Sequence, residues 1–123
     1  MMSNFFLSLF RLVITMKKLF NRIRVFHITA DGKCFLRYIP RHICAIRNLL
    51  GGELDTINLV SNLSTYIRRD DKNVKLEPNK KLPGIYGDVV ICAGRNGVIN
   101  DLSDREYSDL IKMFCSKGDS KNG

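Results

Sequence analysis

Residues 88–93 read Asp-Val-Val-Ile-Cys-Ala, the most uniformly apolar short run in the chain. A half-exposed strand shows every second side chain to water, so a run this short without alternation is expected to be a central strand covered on both faces. Gly94-Arg95-Asn96-Gly97 closes it. A chain of 123 residues that must cover such a strand has room for one domain.

The rest of the sequence supplies partners for that strand. Arg22 to Ile28 alternates apolar and polar residues, Ala30-Asp31-Gly32-Lys33 is a turn, and Cys34 to Ile39 is again apolar, which predicts a hairpin. Pro40 suits the first turn of a helix carrying Ile43, Ile46, Leu49 and Leu50, which Gly51-Gly52 ends. Glu53 to Val60 alternates as a third strand. Leu63 to Arg68 and Val74 to Leu76 flank the charged turn Arg69 to Asn73 and predict a second hairpin. Lys75 to Pro83 is too rich in proline and charge for a central strand and reads as an exposed connection. Ser103 and Glu106 form a capping box before Tyr107, Leu110, Ile111 and Phe114, one apolar stripe at helical spacing. The expected fold is α+β in the order β-β-α-β-β-β-β-α, a small, mostly antiparallel sheet with two helices on one face. Residues 22–115 form this domain, and 116–123 read as a flexible tail.

Charge is unevenly spread. The chain carries 20 lysines and arginines against 12 acids, a formal +8, and residues 1–24 hold five of the bases and no acid. Such a front half can attract phosphates or anionic lipid. Residues 1–21 form a basic, apolar extension. Arg11 interrupts its apolar run and Lys17-Lys18 follow it, the wrong order for a secretory signal, and the run is too short to span a bilayer. Translation starting at Met16 would leave residues 1–15 out. If they are made, the three- and four-residue recurrence of Phe5, Leu9, Leu12, Met16, Leu19 and Ile23 suits a basic amphipathic helix lying on a membrane surface.

Few residues suggest chemistry. Cys34, Cys44, Cys92 and Cys115 stand far apart, and neither His27 nor His42 joins them in a zinc spacing, so neither a metal nor a cofactor is expected. Four reduced thiols, most of them packed as small hydrophobes, suit a cytoplasmic protein. His42 and Cys44 lie two apart on a helix, facing different ways, and His27 reads as a half-exposed sheet residue. No catalytic constellation is legible, and an enzyme using Cys44 or Cys92 is the most remote reading. Gly84-Ile85-Tyr86-Gly87 precedes a strand, so it reads as a turn and lacks the helix dipole of a phosphate cradle. Arg68-Arg69 beside Asp70-Asp71 reads as a self-neutralising turn.

Ala45-Ile46-Arg47-Asn48-Leu49-Leu50-Gly51-Gly52-Glu53-Leu54-Asp55 resembles the hallmark of a small bacterial and phage family known as domain of unknown function three-eight-four-six. In order, Leu76 to Asn79, Tyr86 to Ile91 and Leu102 to Glu106 resemble further blocks of that family, over about residues 22–114. The extra apolar front and the Arg69 to Lys72 turn depart from it. The resemblance implies an accessory protein of phages, plasmids or their hosts and supplies no activity. The leading expectation is a non-enzymatic binding module, open to oligomerisation, for a host protein or a small anionic, nucleotide-like ligand. Its site residues would be Gly51, Gly52 and Glu53 with Asn79, Lys80, Lys81, Gly84 and Tyr86, because loops gather binding groups. The alternative is non-specific nucleic-acid binding through Lys17, Lys18, Arg22, Arg24, Arg37 and Arg41.

Overall fold

A computed structural model describes residues 21–70, 74–94 and 97–115. The expected tail, Lys17 and Lys18, and most of the N-terminal extension lie outside the described residues. Five strands form one sheet: β1 (Arg22–Ile28), β2 (Cys34–Pro40), β3 (Leu54–Ile57), β4 (Ser64–Arg68) and β5 (Val89–Cys92). Helix α1 (Ile43–Leu50) separates β2 from β3, and helix α2 (Asp104–Phe114) follows β5. The spatial order is β2-β1-β5-β4-β3 with every pairing antiparallel. The fold is therefore a small α+β domain, and the apolar run is its central strand. All four residues of β5 are fully buried.

Period-two alternation sends neighbouring residues of each strand to opposite faces. Ile23 and Val25 of β1 pack with Tyr66, Val90 and Cys92 under Ile46 and Leu50 of α1. Phe26 and Ile28 pack with Val89 and Ile91 under Leu110, Tyr107 and Phe114 of α2. The helices thus cover opposite faces, which corrects the expectation that they share one. The reason is β5 itself: it carries apolar side chains on both faces, and each face needs its own cover.

Three local expectations also change. Pro40 ends β2 opposite Arg22 instead of opening α1. The helix starts after His42, whose Nδ1 accepts the Cys44 amide at 3.1 Å and caps it. No strand forms at 74–76, where Val74 makes a single bridge. Strand β4 is already flanked by β3 and β5, so the expected 63–68 with 74–76 hairpin gives way to a β3–β4 hairpin and the strands among the described residues number five. The capping box is present, with Glu106 N donating to Ser103 Oγ and Ser103 N to Glu106 Oε1.

The chain leaves β5 at Gly94 with φ +115°, and a Cβ there would lie 1.9 Å from the Val98 carbonyl oxygen. Only glycine fits both the backbone angle and the approach. Gly94→Ala is expected to cost roughly 3 kcal/mol and to lower the thermal midpoint by about 10 °C or more, measured by circular dichroism; an unchanged midpoint would refute this account of the turn.

Candidate functional site

The residues expected to bind fall into two groups at different places. Gly51 is the left-handed C-cap of α1 and its amide donates to the Arg47 carbonyl at 2.7 Å. The guanidinium of Arg68 lies against this turn, and a Cβ on Gly52 would meet its Nε at 2.7 Å. A cation at the negative end of a helix is favourable there, so Gly51-Gly52 makes room for Arg68. Glu53 is exposed beside it, and its carbonyl accepts the Arg69 amide.

The second group, 79–86, folds around Asn79, which is buried and fully engaged. Its Nδ2 donates to the Gly87 and Thr29 carbonyls at 3.0 and 3.3 Å, and its Oδ1 accepts the amides of Lys81 and Leu82 at 3.0 and 3.1 Å. This amide holds the connection closed and has no capacity left for a ligand. The Lys80 amide donates to the Ala30 carbonyl, and Lys81 Nζ sits 3.8 Å from Cys34 Sγ. Gly84 and Tyr86 remain outward-facing, Tyr86 being 57% exposed.

Arg68, Gly84 and Tyr86 meet at a groove of about 720 Å³ over the α2 face of the sheet, floored by Ile57, Ile67, Leu76 and Ile85 with Asp55, Asp70 and Lys75 among its lining. A second cavity of about 590 Å³ opens beside it, lined by Ile43 and Arg47 of α1 and by Leu54, Thr56 and Tyr66 of β3 and β4. Arg69 has a partner across the β3–β4 pair, its Nε lying 3.0 Å from Asp55 Oδ1.

A polar cluster that sequence reasoning missed sits at the other end of β1. His27 is buried, 4% exposed, instead of half-exposed. Arg37 Nε donates to its Nδ1 at 2.9 Å, and its Nε2 lies 2.8 Å from Asp88 Oδ2. Arginine can only donate, so Nδ1 is the acceptor and the ring proton sits on Nε2, facing the carboxylate. Neither ring nitrogen is left to act as a base. Asp88 Oδ1 also accepts the Ala30 amide at 2.8 Å. The cluster ties the β1–β2 turn to the segment entering β5, and a Val25-His27 alternation gave no sign of it.

Of the cations suggested for nucleic acid, Arg24 pairs with Asp101 and Asp104, and the Asp104 hydrogen bond pushes its guanidinium pKa up. Arg37 is held by His27 and lies 4.8 Å over the Phe35 ring. Arg22 and Arg41 are exposed. Among the cysteines, Cys44 is exposed and Cys92 is buried, where desolvation pushes its thiol up to about 12. Among the described residues no group of side chains could hold a metal ion, and no helix is long and apolar enough to cross a membrane. Comparison with protein-family models, curated proteins and solved structures finds no match to this chain.

Asn79→Ala is expected to cost about 2–4 kcal/mol, since it strands buried partners of four hydrogen bonds, read from urea unfolding; a change below about 0.5 kcal/mol would leave the amide without its structural role. Cys92 is raised in the folded state, so its contribution is complete below the ordinary thiol value of 9.0 and is lost as pH climbs toward about 12. Peptide mapping after iodoacetamide treatment at pH 8 should accordingly show Cys44 alkylated and Cys92 protected; equal labelling of the two would contradict this.

Proposed function

We propose that the chain is a non-enzymatic binding module whose ligand is another protein, taken at the groove beneath Tyr86. The observation that supports this reading is the groove's character: an apolar floor of Ile57, Ile67, Leu76 and Ile85 opens between charged residues and an exposed tyrosine. Apolar centre, aromatic anchor and polar rim are the composition of protein interfaces. A small anionic ligand would want converging donors, and the lysines and asparagine expected to supply them point elsewhere or are consumed by the fold. The described cations Arg24 and Arg37 have internal partners, which weakens the basic surface a nucleic acid would use. An accessory protein of a phage or plasmid, as the family resemblance implies, would act by engaging a host protein in this way.

A benzophenone side chain replacing Tyr86 is expected to form one discrete protein adduct in the cells that produce the chain, with none when the probe replaces Met113 on α2. Excess unlabelled full chain should abolish the adduct, whereas an Ile57→Asp, Tyr86→Ala variant that keeps its melting temperature should compete at least tenfold less well. Native mass spectrometry of the purified chain supplies the contrary outcomes: a discrete anionic adduct retained through a high-salt wash, or nucleic acid removed only by salt, would overturn the reading.

A further inference from the structure

The two cavities flank a single strand. Strand β3 ends the sheet, with β4 on one side and no strand on the other among the described residues. The Arg69 amide donates to the Glu53 carbonyl, so 53 and 69 belong to a hydrogen-bonded rung of the β3–β4 ladder. Rungs alternate in an antiparallel pair, and in the observed register Asp55 and Ile57 turn their backbone groups toward β4. Leu54 and Thr56 therefore direct their N–H and C=O outward; the Leu54 carbonyl takes a long hydrogen bond from Arg69 Nη2 at 3.4 Å, which leaves the Leu54 N–H and both Thr56 groups on the edge.

The side chains of β3 alternate in the same way. Asp55 lines the 720 Å³ groove over the α2 face, Leu54 and Thr56 line the 590 Å³ cavity over the α1 face, and Ile57, at the end of the strand, borders both. A strand laid beside β3 would bond to Leu54 and Thr56 and drop successive side chains into one cavity and then the other.

The cavities differ in charge. The α2-face groove has an apolar floor, so its occupant is apolar. The α1-face cavity carries Arg47, exposed and without an ion pair among the described residues, near the carboxylate of Glu53, while the charge of Arg69 is taken up by Asp55. The chain as a whole is at +8. Complementarity asks for acidic side chains there.

We infer that the partner is an extended segment of another protein, with apolar residues alternating with acidic ones, which joins the sheet as a sixth strand along β3. The inference rests on the protein-binding reading above and specifies its mode. Nucleic acid has no period-two alternation and no backbone amide to pair with this edge, and a second copy of the chain is an outcome of the test.

The probe is a capped hexapeptide of alternating Val and Glu, with a Val and Lys peptide as control, titrated into the full chain and followed by amide NMR. Saturation is expected to slow hydrogen exchange at Leu54 and Thr56 at least tenfold while Asp55 and Ile57 stay as they were. Arg47→Glu should weaken the Glu peptide about tenfold and favour the Lys peptide. Thr56→Pro, which removes an outward amide and no ladder bond, should keep the melting temperature and abolish the protection. Equal binding of the two peptides, or shifts at Tyr86 without protection at Leu54 and Thr56, would overturn strand addition while the cross-link at position 86 still upheld protein binding. Concentration-dependent protection of these amides in the chain alone would put a second copy on the edge and overturn the acidic partner. Loss of the cross-link would overturn the function itself.

Discussion

Everything in this domain is arranged around the burial of β5. Four consecutive side chains, Val89 to Cys92, have lost all contact with water, and no single layer can do that to a strand whose residues alternate between two faces. Two hairpins provide its lateral partners, β1–β2 on one side and β3–β4 on the other. Two helices provide its cover, α1 above Val90 and Cys92 and α2 above Val89 and Ile91. A strand held so fully cannot present a site, and the surfaces open to a partner are displaced to the margins of the sheet. The groove and the second cavity both lie at the β3 margin.

Polar groups follow the same geometry. Where the chain must turn close to β5, its hydrogen-bonding groups are satisfied by specific side chains: Asn79 for the 79–87 connection, and Asp88 with His27 for the β1–β2 turn. A buried polar group is costly unless paired, and these are paired on every side. The residues look functional in isolation because amides, carboxylates and imidazoles serve binding and catalysis as well. Their partners show them to be struts.

Patterns of period two and 3.6 made most elements readable: the β1–β2 hairpin, the β5 run and the capped α2 stand where alternation and capping chemistry put them. What failed was non-local. Local propensity favoured pairing Leu63 to Arg68 with Val74 to Leu76, but β4 takes β3 on one side and β5, 21 or more residues onward in the chain, on the other. Both helices were expected on one face although the sequence of β5 already asked for cover on two. Of the candidate site, Gly84 and Tyr86 were legible as loop residues and do line the groove, whereas Ile57 and Ile67 looked like ordinary strand residues. Asn79 was noticed for its bifunctional amide, and only its neighbours in space reveal that the fold uses all of it.

The spatial order β2-β1-β5-β4-β3 also sets an order of assembly. During synthesis the two hairpins leave the ribosome first, each held by contacts between neighbours in sequence, and they share no strand. The keystone that joins them emerges last among the strands. Until residues 89–92 arrive, each hairpin exposes an inner edge as unpaired as the outer edge of β3. The step that seals those inner edges depends on long-range contacts and so is the slow one in folding. The margins left open in the finished domain, at β2 and at β3, are thus remnants of that earlier state, kept at the two ends of the sheet after the centre has closed.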